Sequence, residues 1–287
     1  MWLADSGAPG PTLAISFGVH GNERPPIDAG LQLVAQLESG ALKLTRGKLL
    51  LIHANPQASS QDQRWSEGGV DLNRCFSTES LAKEPELYEE GRAGEIARVL
   101  TEVEPEILVD FHCTVEPGDP FLMQHPPVAH EASAAVARLL SAKVLLSDPD
   151  LNFGGVSLDE WMTTRGRVGI CYETGWIQSP DCTPEFVIDE MLNVLAGHDL
   201  IAGREAKHFD DKNQLQLDHV IKCEADGYRW RDGIGNNLQA LSKGTVLGAY
   251  GDGTEVALPV DATLIFPKKK PELVQHGKPL VYLGVAH

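Results

Sequence analysis

The chain of 287 residues is 42% hydrophobic, 23% charged and 6% aromatic, a composition typical of soluble globular proteins with one large domain or two unequal ones. It excludes a disordered chain and a collagen-like repeat. Because 24 Lys and Arg residues stand against 41 Asp and Glu residues, the formal net charge is −17. Such a charge repels the phosphates of nucleic acids and anionic membrane surfaces, so we expect neither as a partner.

The sequence shows no signal for export or for membrane anchoring. The first apolar stretch, residues 13–19, is far shorter than the roughly 20 residues that cross a bilayer. The five cysteines are an odd number and form no CxxC pair, which predicts reduced thiols. We therefore expect a cytoplasmic protein without a membrane partner, and a homo-oligomer is compatible with the sequence.

From residue 11 to about residue 205, short β-rich segments alternate with amphipathic helical segments, the pattern of an α/β sheet with helices on its faces. Thr183 and Pro184 mark the start of the last helix, because a capping residue precedes proline at the first helical position. The predicted strands cover residues 13–19, 48–53, 107–112, 120–124, 143–146 and 168–173. The predicted helices cover residues 27–37, 88–103, 128–141, 157–164 and 183–200.

After about residue 206 the helical periodicity ends. Short β-rich segments then alternate with turn clusters such as Asp232-Gly233 and Gly251-Asp252-Gly253. We therefore predict two domains, an α/β domain over residues 1–205 and a smaller all-β domain over residues 206–287. The run from Lys268 to Lys270 follows a predicted strand and is expected to form a solvated loop.

Two candidate metal ligands, His20 and Glu23, lie just after the first predicted strand. They are three residues apart, and a strand end followed by a turn can aim both side chains at one point. An imidazole nitrogen and a carboxylate oxygen form part of a Zn²⁺ shell, and a third protein ligand would leave the fourth position for water. Taken alone, the pair is better explained as a turn histidine beside a helix N-terminal glutamate.

A third candidate ligand, His112, ends another predicted strand. Asp110 shares its face of that strand, so the carboxylate can orient the imidazole. Taken alone, His112 is better explained as a histidine at the edge of the core. Glu173 ends a third apolar strand, where a carboxylate needs a partner or a chemical role. The other histidines, His125 among them, have no companions at ligand spacing and are expected to be structural.

Together these elements resemble the succinylglutamate desuccinylase and aspartoacylase family, a branch of the zinc carboxypeptidase-like fold. The resemblance covers residues 13 to about 200, and the β-rich tail is similar to the C-terminal domain of that family. It implies a mixed sheet flanked by helices over residues 1–205 as the catalytic domain. The matching elements, in order, are His20-x-x-Glu23, Arg64, Asp71-x-Asn73-Arg74, Asp110-x-His112 and Glu173-x-Gly175.

The resemblance also implies a role for each catalytic residue. His20, Glu23 and His112 would bind one Zn²⁺ per chain, and Glu173 would be the general base and acid. Arg64 would polarise the scissile carbonyl and stabilise the developing oxyanion.

Substrate recognition is implied for a second group of residues. Asn73 and Arg74 would hold a substrate carboxylate, and Arg165, in a Thr-Thr-Arg sequence like that of aspartoacylases, would bind the amino-acid portion. Arg167 is the competing candidate for this second role. Two separate cationic features predict a substrate with two carboxylates. The stretch 266–271 has no tyrosine of the kind that aspartoacylases contribute from their C-terminal domain, which leaves the acyl group and amino acid open.

These residues predict a zinc-dependent amidohydrolase that cleaves a small acidic N-acyl amino acid with a metal-activated water. The enzyme alternative is a zinc carboxypeptidase or peptidoglycan-peptide amidase, which would use the same residues in a wider cleft. The non-enzyme alternative is a metal-binding regulatory module, which would have no need for Glu173 or Arg64.

Overall fold

The computed structural model of the chain describes residues 1–125, 130–150 and 157–286. Two short 3₁₀ helices, Leu72–Arg74 and Pro271–Leu273, supplement the regular elements. The strands are β1 (Trp2–Asp5), β2 (Thr12–Phe17), β3 (Lys48–His53), β4 (Ile107–Thr114), β5 (Phe121–Gln124), β6 (Val144–Ser147), β7 (Val168–Trp176), β8 (Asn213–Lys222), β9 (Arg229–Trp230), β10 (Ala240–Leu241), β11 (Val246–Ala249), β12 (Glu255–Ala257), β13 (Ala262–Ile265) and β14 (Pro279–Ala286). The helices are α1 (Arg24–Glu38), α2 (Pro56–Gln61), α3 (Thr78–Leu81), α4 (Tyr88–Val103), α5 (His130–Ala137), α6 (Leu158–Thr163) and α7 (Pro184–Gly197).

An eleven-stranded mixed sheet forms the centre of the fold, in the order β1-β3-β2-β4-β7-β5-β6-β8-β14-β13-β10. Strands β3, β2, β4 and β7 run parallel, whereas β5 pairs antiparallel with β7. A separate sheet contains β12, β11 and β9. The predicted mixed α/β class with helices flanking the sheet is confirmed.

Alternate residues of the central strands pack on opposite faces of the sheet. Leu13 and Ile15 of β2 belong to the core that includes buried residues of α1, α5 and α7, whereas Ala14 belongs to the core that includes residues of α4 and α6. Since successive side chains of a strand point to opposite faces, helices cover both sides of these strands.

Main-chain pairing continues past the predicted domain boundary. Strand β6 pairs in parallel with β8, from Val144 beside Asn213 to Ser147 beside Gln216, and β14 then pairs with the other edge of β8. Four strands that follow residue 206 therefore extend the central sheet. The division into domains at residue 205 stays a prediction.

The predicted elements agree with the structure where the hydrophobic pattern was long. Strand β3 and helix α4 have the predicted bounds, 48–53 and 88–103. Residues 128 and 129, the predicted start of α5, lie outside the described residues. The short strand β1 and the polar helix α2 were not predicted, because neither has a run of apolar residues at a regular period. None of the described helices has both the length and the apolarity to cross a membrane.

Candidate active site

The loop after β2 brings His20 and Glu23 to the carboxyl edge of the parallel strands. Gly18 turns the chain with φ of 68°, a left-handed conformation that glycine adopts without strain. A Cβ atom at Gly21 would collide with the backbone of Ala58, so the loop packs directly against α2. Glu23 then occupies the N-cap position of α1, which begins with prolines in its first turn.

His20, Glu23 and His112 form a buried cluster. Glu23 bridges the two histidines, with Oε1 2.7 Å from Nδ1 of His20 and Oε2 3.1 Å from Nδ1 of His112. One ligand atom from each residue lies within 4.8 Å of the other two. The backbone N–H of Cys113 also donates to Glu23 Oε2 at 3.1 Å, which fixes the carboxylate. This cluster could hold a metal ion.

Each of these imidazoles has an outer carboxylate behind it. Nε2 of His20 lies 3.1 Å from Oδ1 of Asp71, and Nε2 of His112 lies 2.8 Å from Oδ2 of Asp110. Histidines that bind metals usually donate their second ring N–H to a carboxylate in this way, which fixes the tautomer and turns the other nitrogen to the ion. Two imidazole nitrogens and one carboxylate therefore fit a Zn²⁺ shell with an open position.

The charges in the cluster shift the pKa values of Glu23 and His112 in opposite directions. Burial alone would raise the pKa of Glu23, but His20 and His112 lower it far below its ordinary value. Burial alone would lower the pKa of His112, but Asp110 and Glu23 raise it well above its ordinary value. Protons therefore balance the buried carboxylates in the metal-free cluster, and a bound metal ion would displace them.

Glu173 lies on β7 beside the metal-ligand cluster. In the parallel pairing of β4 with β7 it is the partner of His112. Its side chain is buried, and its Oε2 forms no hydrogen bond with the described residues. Burial raises the pKa of Glu173 to about 7. A carboxyl group with this pKa can take up and return a proton near neutral pH.

Arg64 is held in the site by Asp71. Its Nη2 and Nε donate to Oδ2 of Asp71 at 2.9 and 3.3 Å, while Oδ1 of the same carboxylate contacts His20. Burial alone would lower the pKa of Arg64, but Asp71 and Glu23 raise it above its ordinary value. Asp71 therefore holds the positively charged guanidinium of Arg64 in a fixed position beside His20, one of the candidate metal ligands.

Asn73 and Arg74 lie on the 3₁₀ turn that follows Asp71. The side-chain carbonyl of Asn73 accepts a hydrogen bond from the backbone N–H of Leu158 at 3.0 Å, which fixes the amide so that its NH₂ group can donate to a ligand. Arg74 donates from Nη1 to the backbone carbonyl of Asn73 at 2.7 Å, which leaves its other donors for a ligand.

Most of these residues line one cavity of about 450 Å³. Among the predicted site residues, Arg165 alone is not part of the described lining. It is exposed at the turn after α6, with its guanidinium carbon 3.7 Å from the ring centroid of Trp161. Arg167 also lies outside the lining and is 3.7 Å from Glu104. The predicted residues that line the cavity are His20, Glu23, Arg64, Asn73, Arg74, His112 and Glu173.

Residues of the β-rich C-terminal region also line the cavity, among them Lys268 and Tyr282. Residues 268–270 form a loop, as predicted, but Lys268 is half-buried at the cavity wall rather than freely solvated, and both its backbone groups are fixed. Its N–H donates to the carbonyl of Leu280 at 2.9 Å, and its carbonyl accepts from Nε1 of Trp230 at 2.8 Å. Burial, with the nearby charges of Arg64 and Arg74, lowers the pKa of Lys268 to about 8.

Comparison with known proteins relates most of the chain to one family. The family model described as Succinylglutamate desuccinylase/Aspartoacylase catalytic domain matches residues 9–151. Succinylglutamate desuccinylase from Pseudomonas paraeruginosa is 37% identical over 280 residues, which cover 91% of this chain and 81% of that protein. The match to succinylglutamate desuccinylase from Photorhabdus laumondii is 39% identical over 89 residues, but these cover 31% of this chain and 26% of that protein.

A solved structure extends the likeness to the fold. The succinylglutamate desuccinylase from Chromobacterium violaceum matches with a TM-score of 0.77 and 18% identity, over 99% of this chain and 88% of that one. At this identity the match concerns the fold alone, whereas the Pseudomonas match is a sequence relationship over most of both chains. The chain therefore belongs to the succinylglutamate desuccinylase and aspartoacylase family.

Proposed function

We propose that the protein is a zinc-dependent amidohydrolase that cleaves the amide bond of a small N-acyl amino acid. The observation that carries this proposal is the buried cluster of His20, Glu23 and His112 in one cavity with Glu173 and Arg64. Family membership and the desuccinylase names of the relatives support the same reaction class.

His20, Glu23 and His112 would hold the zinc ion, and their donor atoms fit it. When bound, the ion supplies a Lewis acid that activates water and polarises the scissile carbonyl. Asp71 and Asp110 orient the two imidazoles through Nε2, so the ligands are fixed before the metal arrives.

Glu173 carries the proton in the proposed reaction. Its carboxylate removes a proton from the attacking water, and the resulting carboxylic acid returns that proton to the leaving nitrogen. The pKa of about 7, raised by burial, suits both halves of this task. The pairing of β7 with β4 holds Glu173 beside the ligand His112, so both steps occur at one point of the cavity.

Arg64 stabilises the oxyanion that forms when water adds to the amide carbonyl. Its ion pair with Asp71 holds the guanidinium in place, so little reorganisation accompanies the charge development. A non-catalytic metal module would not need such an arginine beside a proton carrier.

The rest of the cavity favours an anionic substrate. Arg74, the amide NH₂ of Asn73 and the ammonium of Lys268 are donors for carboxylates, in a chain whose formal net charge is −17. These groups support a substrate that carries a carboxylate on the acyl group, on the amino acid, or on both. Arg165 stays a prediction for substrate selection, and Lys268 is the better-supported second cation.

The size of the cavity favours small substrates over peptides. Its volume of about 450 Å³ suits a molecule the size of an acylated amino acid, and residues 266, 268 and 282 line it from the C-terminal region. A carboxypeptidase or peptidoglycan-peptide amidase would need room for a peptide chain on at least one side of the scissile bond.

A substrate panel tests the proposal. N-acetyl, N-succinyl and N-formyl derivatives of acidic and neutral amino acids, and in parallel short peptides, are incubated with zinc-loaded enzyme, and amine release is measured. We expect release from derivatives that bear two carboxylates and its loss after chelation. Hydrolysis of peptides alone would favour the peptidase alternative, and no zinc-dependent turnover on either class would refute the proposal.

A further inference from the structure

A second group of buried side chains of metal-ligand type lies on the far side of β7 from His112. His125 directly follows β5, Asp148 directly follows β6, and Glu160 lies on α6. One ligand atom from each of these residues lies within 4.8 Å of the other two. Their exposed fractions are 3%, 0% and 0%. Three separate elements of the fold therefore bring one imidazole and two carboxylates to a single buried point.

The imidazole of His125 is held by a further carboxylate. Its Nε2 lies 2.8 Å from Oδ2 of Asp159, and the hydroxyl of Ser157 donates to Oδ1 of that carboxylate at 2.6 Å. Asp159 accepts a hydrogen bond from Nε2–H, so Nδ1 carries the lone pair whenever the ring is neutral, as it must be to bind a metal ion. Nδ1 has no hydrogen-bond partner among the described residues, although the side chain is almost completely buried. Buried polar atoms normally have a partner, so this nitrogen requires an explanation.

A comparison with the cluster of His20, Glu23 and His112 suggests a role for this nitrogen. There His20 and His112 each hold an outer carboxylate at Nε2 and direct Nδ1 to the central ligand Glu23. His125 repeats the outer half of this arrangement with Asp159, and its Nδ1 is the nitrogen that remains for a metal ion.

We propose that His125, Asp148 and Glu160 form a second metal site, which takes a divalent transition-metal ion such as Zn²⁺ or Mn²⁺. One nitrogen and two carboxylate oxygens suit such ions better than Mg²⁺ or Ca²⁺, which prefer oxygen ligands alone. Oε2 of Glu160 accepts the N–H of Ser157 in the capping box of α6, which holds this carboxylate at the start of the helix.

The second metal site would lie at the wall of the cavity that contains the first cluster. His125 and Asp159 both line that cavity, together with Ser157 at the start of α6. An ion bound here would tie β5, β6 and α6 together and fix one wall of the substrate pocket. The proposal concerns metal binding alone and does not depend on the proposed hydrolase activity.

Metal stoichiometry tests the proposal. Purified full-length protein is stripped with a chelator, loaded with Zn²⁺ or Mn²⁺, desalted and analysed by mass spectrometry of the metal. We expect two ions per wild-type chain, one in His125→Ala, one in Asp148→Asn and one in His20→Ala. The control variant His53→Ala should keep both, because His53 bonds to the hydroxyl of Ser59 and, within the described part of the chain, to no carboxylate.

A second measurement remains informative if His125→Ala fails to fold. Asp148→Asn replaces the carboxylate with an amide of nearly the same size, so the variant should fold. Binding of Mn²⁺ is then followed by electron paramagnetic resonance in the His20→Ala background, where the first site is disrupted. Protein-bound Mn²⁺ in His20→Ala and its loss in His20→Ala/Asp148→Asn would support the site. One ion per wild-type chain at saturation would overturn it, as would a second ion that both His125→Ala and Asp148→Asn retain. In those cases His125 is an imidazole held by Asp159 without a metal.

Discussion

His112 and Glu173 are partners in the parallel pairing of β4 with β7, so a candidate metal ligand and the candidate proton carrier sit side by side across two neighbouring strands. Neighbouring strands are about 4.8 Å apart, and a paired register points the two side chains to the same face of the sheet. The separation of ligand and proton carrier is therefore set by main-chain hydrogen bonds rather than by flexible loops. The sheet itself thus places His112 and Glu173 close enough to act on the same substrate.

This relationship predicts the effect of Glu173→Gln. The variant should keep its fold and its zinc, because Glu173 is not one of the proposed ligands, but kcat should fall by about 10²–10⁴-fold as the proton carrier is lost. Turnover and metal content are measured on the same preparation. Turnover near the wild-type value would remove Glu173 from the mechanism.

Zinc retention tests the ligand assignment separately. His112→Ala removes one of the three proposed protein ligands and leaves the buried carboxylates Glu23 and Asp110 without their shared partner. We expect a large loss of the active-site zinc in this variant and in His20→Ala. His219→Ala, at a half-exposed histidine on β8, is the control and should keep its zinc. Full occupancy in both ligand variants would mean that this metal binds elsewhere.

Arg64 is predicted to act on turnover more than on binding. Its charge is most valuable when the oxyanion has formed, so Arg64→Ala should lower kcat by about 10²–10³-fold with a smaller change in KM. Arg98→Ala removes an exposed arginine of α4 that pairs with Glu102 and should leave both constants unchanged. A change confined to KM would make Arg64 a binding group for the ground-state substrate.

Much of this site could be predicted from the sequence, because His112 and Glu173 stand on strands with long apolar runs and His20 directly follows one. Parallel strands bring such residues to one edge of a sheet. Lys268 and Tyr282 could not be predicted in the same way. They reach the cavity only because β8 pairs with β6 and β14 with β8, and this long-range pairing has no local sequence signal.

The same limit applies to His125 and Arg165. Asp148 and Glu160, which cluster with His125, lie 23 and 35 residues further along the chain by their numbers in the sequence, and no ligand spacing links the three. The orientation of Arg165 depends on the turn after α6 and on its stacking over Trp161, whereas a motif match specifies only its position in the sequence.

Titration of Lys268 should weaken substrate binding at alkaline pH. Its pKa, lowered to about 8 by burial and by Arg64 and Arg74, means that the ammonium is charged below about pH 8 and neutral above it. Attraction for a substrate carboxylate is thus present at low pH and lost as the pH rises through 8. We expect kcat/KM for a dicarboxylate substrate to fall above that pH, since kcat/KM reports groups of the free enzyme.

Substitutions identify the group responsible for this limit. Lys268→Met should lower kcat/KM at pH 7 by about 10–100-fold, the value of a charge-assisted hydrogen bond, and its profile should meet that of the wild type at high pH. Lys268→Arg stays charged and should lose the decline. Lys269→Met is the matched control, because that ammonium contacts the side chain of Asn236. An unaltered decline in Lys268→Arg would assign the titration to another group.

The last prediction compares the two cations that could select a second carboxylate. The sequence motif predicts Arg165, whereas the cavity contains Lys268. Arg165→Ala and Lys268→Met are each assayed on an N-acyl aspartate and on its asparagine analogue, which differ only in the charge of the side chain. The group that binds this carboxylate should, when removed, reduce kcat/KM for the aspartate much more than for the asparagine, by about 2 kcal/mol or roughly thirtyfold for one charge-assisted contact. We expect this selective loss in Lys268→Met and equal, small effects in Arg165→Ala, because the guanidinium stacks on Trp161 at the exposed surface. A selective loss in Arg165→Ala would instead show that Arg165 turns into the cavity when substrate binds, and a wild-type preference for the asparagine compound would exclude a carboxylate at this position of the substrate.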